Sequence, residues 1–408
     1  MQVTTQNIHV PKLRFKEFDG DWIKKKLSDF SDKISDGIHS TPNYSDEGGY
    51  YFVNGNNFID GKIVIHDNTK RVDENEYARH KRPLRNNTIL LSINGTIGNI
   101  AYYNNEPIVL GKSACYINLN KKIETKIVYQ LIQSDVIKKY FNSQLTGSTI
   151  MNLSLKSIKT TPITLPTLPE QEKIASFLSA VDERIQKLER KKSLLEDYKK
   201  GVMRQLFSQE IRFKNDNGNN YPDWEEKKLG ELCDIIVGGT PSTNKKEYWN
   251  GSIGWLSSGA LNNSNVTKPS KLITKLGLEN SSAKIMPANT VMLAMTGATL
   301  GRIGLLKFNC SGNQSIAGFT PNDTFVSMYL FYVLLYGINQ IFKYAGGAAQ
   351  QGINKQSINN LRYLFPIKKE QKKIASFLSG LDKKIELVET QIQQSKNFKK
   401  GLLQQMFV

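Results

Sequence analysis

The segment from Glu170 to Ser208 returns two hundred positions later, without a gap, as Glu370 to Val408, and 17 of the 39 aligned pairs are identical. The longest unbroken match sets Lys173-Ile-Ala-Ser-Phe-Leu-Ser179 against Lys373-Ile-Ala-Ser-Phe-Leu-Ser379. Chance leaves only a few identities over such a length, so the chain is internally duplicated, and two similar-sized globular segments are each followed by the same element. Read every seventh residue, the first copy lines up Ile174, Val181, Leu188, Leu195 and Val202, with Leu178, Ile185, Lys192, Lys199 and Leu206 at the companion positions. The second copy repeats both lines as Ile374, Leu381, Val388, Ser395, Leu402 and Leu378, Ile385, Ile392, Lys399, Met406. This is the stripe of a long amphipathic helix. At 1.5 Å per residue each helix extends roughly 58 Å, and a stripe of that length needs a partner. The other copy is the expected one, with a helix of another subunit as the alternative. Thr167-x-x-Glu170 has the form of a capping box at the helix start. Gly201 and Gly401 mark either a close approach or the point where each helix stops.

Connectivity sets the direction of pairing. The first helix runs through the short link Asn215-Asp-Asn-Gly-Asn-Asn220 into the second globular segment, which ends where the second helix begins. The pair is therefore expected to be antiparallel. The globular segments also echo each other: Trp22-x4-Leu27 recurs as Trp224-x4-Leu229, Asn87-Thr-Ile-Leu-Leu91 as Asn289-Thr-Val-Met-Leu293, and Arg14-Phe-Lys16 as Arg212-Phe-Lys214. Two matched strand-like runs enter the turns Asn94-Gly-Thr-Ile-Gly98 and Thr296-Gly-Ala-Thr-Leu-Gly301. Helical stretches are predicted from Lys126 to Phe141 and from Ser327 to Tyr344. The expected fold is α+β: two similar mixed units separated by two long antiparallel helices that form a coiled coil, with an approximate two-fold axis.

The formal net charge is +18, and the two helical repeats hold only about five of those charges. The rest lies on the globular segments, as surfaces that meet phosphate require. Cys115, Cys233 and Cys310 stand far apart with no CxxC pair, which excludes a disulfide framework or a zinc site and predicts small buried thiols. Met1 to Val10 has no basic segment followed by an apolar one, and no apolar run reaches the length of a membrane span. The expected compartment is a reducing cytoplasm.

Catalytic signatures are missing from the sequence. Gly111-Lys-Ser113 lacks the glycine a phosphate loop needs five residues earlier, where Glu106 stands. The absence of any Pro-Pro dipeptide rules out the Asp/Asn-Pro-Pro-aromatic motif of amino methyltransferases, and there is no glycine-rich dinucleotide fingerprint. Pro222-Asp223 with Glu225-Glu-Lys227 is too tightly spaced for a metal nuclease. His9, His39, His66 and His80 stand singly. The chain reads as a recogniser without metal ligands or catalytic residues of its own.

Candidate DNA contacts follow from charge and hydrogen-bonding chemistry. In the first unit they are Lys24, Lys25, Lys26, His39, Thr41, Arg79, Lys81, Arg82, Arg85 and Lys112. In the second they are Thr240, Ser242, Thr243, Lys245, Lys246, Arg302 and Gln314, with Lys284 and Lys307 adding charge. Helix pairing and partner docking fall to Ile174, Leu178, Val181, Ile185, Leu188 and Leu195 and to Ile374, Leu378, Leu381, Ile385, Val388 and Ile392. Two recognition heads on a stiff spacer suit a split, asymmetric DNA site. A protein adaptor with two protein-binding heads is the alternative, and a subunit with embedded catalysis a third reading.

The doubled Glu-Gln-x-Lys-Ile-Ala-Ser-Phe-Leu-Ser-x-x-Asp at 170–182 and 370–382, with the two Trp-x4-Leu entries, resembles the specificity subunits of type I restriction-modification systems. Gly238-Gly-Thr-Pro-Ser242, Glu247-Tyr-Trp249 and Gly312-Asn-Gln-Ser315 are similar to a recurrent version of that family's target recognition domain. The resemblance implies recognition domains at 1–165 and 212–366 and conserved helical spacers at 166–211 and 367–408. It also implies that each domain reads half of a bipartite site in the major groove while the helices set the gap. Two methyltransferase subunits would dock on the helices, and restriction/translocase subunits would join the full assembly. S-adenosylmethionine, Mg2+ and ATP would be bound by those partners and none by this chain. The first unit has Ile34-Ser-Asp-Gly-Ile-His-Ser-Thr-Pro42 where the second has its Gly-Gly-Thr-Pro-Ser segment, so the two half-sites should differ.

Overall fold

The computed structural model describes residues 10–346 and 351–407. His9 and most of the N-terminal stretch considered for a leader lie outside them. The chain divides into two compact units, one made of residues up to 190 together with those from 389 onward, the other of residues 191–388. Each unit therefore takes the start of one long helix and the end of the other.

In the first unit the buried run Thr88–Ser92 forms the middle of a four-stranded antiparallel sheet, in the order Ser31–Asp36, Ala114–Leu119, Thr88–Ser92, Ile100–Tyr102. A smaller sheet places Tyr50–Val53 antiparallel to Arg71–Val72 and parallel to Ile108–Leu110. The second unit repeats the plan with additions. Val291–Ala294 lies inside a five-stranded sheet, and Trp249–Leu256 pairs antiparallel with Lys271–Ile273 and parallel with Cys310–Gly312. A two-stranded ribbon closes each unit beside its long helix: Ile23–Lys26 with Pro162–Leu165, and Glu225–Lys228 with Arg362–Phe365.

The predicted helical stretches are each broken in two. Ser134 takes an extended ψ of 152°, and its hydroxyl caps the later of the two pieces, splitting Thr125–Gln133 from Asp135–Ser143. Gly337 separates Ser327–Tyr336 from Ile338–Tyr344, and a Cβ there would lie 2.3 Å from the Tyr363 ring. The long helices run unbroken over Leu168–Phe207 and Lys368–Met406. Gly201 and Gly401 neither stop them nor admit a close neighbour, since each sits inside its helix with no atom within 4 Å of a built Cβ.

The repeated motif is the socket that joins helix to domain. Ile174, Ala175 and Leu178 enter the first unit's core with Ile127, Leu131 and Phe141, and Ile374, Ala375 and Leu378 enter the second's with Tyr329, Leu330 and Val333. Full burial of each large apolar side chain stabilises by about 1.5–3 kcal/mol. Glu170 is taken up by the Arg14 guanidinium at 2.8 Å rather than by a capping box. Glu370 receives Arg212 at 3.2 and 2.8 Å and also the Trp224 indole N–H at 3.2 Å. These carboxylate hydrogen bonds raise both arginines' pKa. Gln171 and Gln371 each accept a backbone N–H from the domain, of Glu124 and Val326, and donate to the carbonyls of Pro166 and Pro366. Phe15 meets Phe177 edge-on at 5.8 Å, as Phe213 meets Phe377 at 5.7 Å.

Within each unit the helix segments pack antiparallel. In the first, Asp182 pairs with Lys399 at 2.7 Å and Glu189 with Lys396 at 2.7 Å, so the partner number falls as the residue number rises. In the second, Lys199 pairs with Asp382 at 2.5 Å. Two of the lysines in the companion stripe, Lys199 and Lys399, thus meet an aspartate of the other helix, the same pair once in each unit, while Lys192 lies 3.9 Å from Glu196 of its own helix. Asp382 also accepts the Tyr332 hydroxyl at 2.5 Å; burial first, and then this carboxylate, push the phenol's pKa up. Of the proposed pairing residues, Ile174, Leu178, Ile185, Ile374, Leu378, Leu381, Val388 and Ile392 are buried, and Val181, Leu188, Leu195 and Ile385 are half-buried.

Candidate nucleic-acid interface

In both units the parallel strand of the smaller sheet runs straight into a polar turn, and the same backbone hydrogen bonds hold it. In the first unit, Gly111 donates to Val53 O at 2.9 Å, Ile38 to Leu110 O at 2.7 Å, Gly37 to Ala114 O at 2.9 Å, and Ile93 to Ser113 O at 3.0 Å. In the second, Asn313 donates to Leu256 O at 2.8 Å, Gly239 to Gly312 O at 2.8 Å, Gly238 to Ile316 O at 3.0 Å, and Met295 to Ser315 O at 2.8 Å. Gly37 and Gly238 are required by this geometry, because a Cβ would fall 2.1 Å from Leu110 O and 2.2 Å from Gly312 O. The framework brings together three pairs of matched positions: His39 with Thr240, Lys112 with Gln314, and Asn94 with Thr296.

What those positions carry differs. Thr240 donates its hydroxyl to the Gln314 amide oxygen at 2.6 Å, which orients an exposed amide whose N–H2 and second lone pair stay available. Thr296 donates to the Ser315 hydroxyl at 2.8 Å, and Thr299 to Ser258 at 3.0 Å. In the first unit Ser113 donates to the Asn54 side-chain oxygen at 2.8 Å and accepts the Gly55 N–H. Lys112 is exposed, and His39 Nε2 lies 2.8 Å from Asp36. The buried side-chain oxygens of Asn94 and Asn313 have no protein partner. Such a surface offers donors and acceptors at fixed places, which base-edge recognition uses.

The remaining sequence candidates distribute as follows. Arg82 braces the turn by donating to Gly37 O at 3.0 Å, Arg85 pairs with Asp32 at 3.0 Å, and Arg79 is largely exposed at 3.6 Å from Glu76. Lys81 lies 5.6 Å from the centre of the Tyr77 ring, and Thr41 is exposed. Lys24, Lys25 and Lys26 lie on the ribbon beside the long helix and are not brought to the turn. In the second unit Ser242, Thr243, Lys246 and Arg302 are exposed; the Ser242 carbonyl accepts the Trp249 indole N–H at 3.1 Å. Lys245 donates to the Tyr248 hydroxyl at 3.0 Å, and that bond raises its pKa. Asn94, Thr296, Ser315, Thr299 and Ser258 were not among the sequence candidates. The matched turns after Asn87–Leu91 and Asn289–Leu293 contain Asn94, Thr296 and Thr299, and Gly312-Asn-Gln-Ser315 contains Ser315, so those segments were the signal for all but Ser258.

Cys115 and Cys310 are buried and Cys233 half-buried. Burial pushes all three thiols up, Cys233 and Cys310 to about 12. Among the described residues no cluster of His, Cys, Asp or Glu could hold a metal ion, and no helix is long and apolar enough to cross a membrane.

Comparison with known proteins gives a consistent picture. The family model described as the Type I restriction modification DNA specificity domain matches residues 19–196 and again 221–396. A protein of Methanocaldococcus jannaschii, named as the candidate MjaX type I restriction enzyme specificity subunit, is 26% identical over 411 residues, covering 96% of this chain and 94% of that one. The EcoR124I/EcoR124II specificity subunit of Escherichia coli is 28% identical over 164 residues, covering 39% of this chain and 41% of that one. Among solved structures, the S subunit of a type I restriction-modification system from M. genitalium superposes with a TM-score of 0.62 at 18% identity, over 98% of this chain and 99% of that one. The last is a likeness of fold.

Proposed function

The chain belongs to the type I restriction modification DNA specificity family, and from that premise we propose that it is the sequence-reading, non-catalytic subunit of such a system. Each mixed domain reads one half of a bipartite, asymmetric site in the major groove of double-stranded DNA, and the long helices set the number of base pairs between the halves. The observation that carries this reading is a single turn framework, bonded alike in both units, presenting different polar side chains in each. Two methyltransferase subunits dock on the helices, and restriction/translocase subunits complete the assembly. Those partners bind S-adenosylmethionine, Mg2+ and ATP and supply the chemistry.

The test is to map methylated adenines in cells that carry the methyltransferase partner with and without this chain. A split motif that appears only with the chain is the expected result. Methylation that is absent, or independent of the chain, overturns the proposal. Inserting one heptad into a single helix should change the gap of that motif and leave its bases alone.

A further inference from the structure

Beside each polar turn lies a second matched feature, assembled from residues that do not resemble each other in sequence. Val53 and Leu256 occupy equivalent places, since each accepts the N–H that opens its turn. The preceding residues, Phe52 and Trp255, are therefore equivalent as well. Each meets a second aromatic ring edge-on: Tyr44 to Phe52 at 5.8 Å, and Trp249 to Trp255 at 5.3 Å. Both point their rings toward the turn. A Cβ on Gly111 would lie 2.8 Å from the tip of Phe52, and the Trp255 indole donates to Gly239 O at 2.9 Å. Opposite each stands a lysine. Phe52 N–H donates to Lys70 O at 2.8 Å, and Trp255 is the cross-strand partner of Lys271.

Lys70 and Lys271 are both exposed, and among the described residues neither pairs with a carboxylate. The Lys271 ammonium lies 5.2 Å from the centre of the Trp249 ring, a contact that steadies a cation while leaving its N–H groups free. The turn differs between the units at three matched positions, His39 and Thr240, Lys112 and Gln314, and Asn94 and Thr296, whereas this position keeps a lysine next to an aromatic pair. A position that stays cationic while its neighbours change suits a ligand group that is the same at every sequence.

We propose that Lys70 and Lys271 are the matched phosphate anchors of the two units, each gripping the DNA backbone beside the base-reading turn. This rests on the DNA-reading function above. It adds two contacts that neither charge clusters nor motifs had singled out, and it assigns them to affinity rather than sequence choice.

The test uses the full chain co-expressed with its methyltransferase partner and a labelled duplex carrying the mapped motif. Binding is measured by anisotropy across a salt series, with variants Lys70→Met and Lys271→Met, which keep the apolar stem and remove the charge. Each lost phosphate contact lowers the slope of log affinity against log salt by about 0.9, so the double variant should lose about 1.8. Lys70→Arg and Lys271→Arg should keep the wild-type slope, and the methylated motif should be unchanged throughout. Lys121, which follows the far end of the strand Ala114–Leu119 from the turn, is the control, and Lys121→Met should leave the slope intact. Slopes that survive both methionine substitutions, or that fall as much for Lys121→Met, overturn the anchors. An altered motif overturns them too, by making these residues base readers. A wild-type complex without any salt slope would overturn the DNA-reading function itself, a result distinct from wild-type binding that merely ignores these lysines.

Discussion

The two units share a backbone and part company at the side chains. Four backbone hydrogen bonds recur around the polar turn, yet His39, Lys112 and Asn94 of one unit stand where the other has Thr240, Gln314 and Thr296. Backbone donors and acceptors pair whatever side chains they carry. A framework built from them can therefore hold its shape while the exposed groups change. Lysine at 112 offers donors alone, which suit the acceptor pair of guanine, whereas an oriented amide at 314 offers a donor and an acceptor, which suit adenine. The helix sockets teach the converse lesson. There the side chains themselves are buried and bonded, and there the two copies are nearly identical in sequence.

The largest expected effect breaks the sockets and the stripe together. Val181→Asp with Leu381→Asp puts a carboxylate against each unit's core, Leu381 being fully packed. A loss of more than about 3 kcal/mol is expected for the leucine site, and co-purification should show no assembly with the methyltransferase. A complex of normal yield would refute the helical pairing.

Glu170 and Glu370 sharpen the comparison. Either change to alanine removes the carboxylate from a half-buried arginine that keeps its carbonyl hydrogen bonds, to Gly20 O or to Tyr221 O and Pro222 O, at a cost of about 1.5–3 kcal/mol. Glu370 also holds the Trp224 indole, whereas Trp22 N–H has no partner. Glu370→Ala should therefore cost more, by about 1 kcal/mol, the worth of one hydrogen bond. Denaturant unfolding of the two variants measures the gap, and equal losses would show the tryptophan bond to be unimportant.

A third prediction transplants the turn. His39→Thr with Lys112→Gln should give the first unit the second unit's chemistry and change one half of the methylated motif, leaving the other half as it was. Discrimination at the altered base should shift by about 1–3 kcal/mol. An unaltered motif would place base reading outside the turn. The smallest effect concerns the thiols, which burial keeps protonated in both units. Alkylation of the native protein at pH 8 should proceed far more slowly at Cys115, Cys233 and Cys310 than after unfolding, and mass spectrometry reads the difference.

Periodicity made the long helices legible, because an apolar residue every seventh place has no other economical fold. The shorter helices were misjudged in extent. Ser134 and Gly337 interrupt apolar runs that read as continuous, and whether a serine caps a new helix or rides inside an old one depends on the neighbours it meets. Glu170 looked like a cap and instead serves Arg14, some 156 residues away. Charge density nominated Arg82 and Arg85, which are engaged in holding Gly37 and Asp32. It overlooked Lys70 and Lys271, which belong to none of the nominated basic clusters and gain meaning only from the aromatic residues across the strand.

The duplication, the helical stripe and the doubled motif at each helix start follow from local spacing and composition, so the amino-acid order alone decided the family, the α+β class and the presence of two similar domains. Which polar groups converge was settled by tertiary structure. Thr240 and Gln314 are 74 residues apart, and only sheet register brings them within 2.6 Å. Register arises from packing and backbone pairing summed over many residues, and no short stretch of the chain contains it.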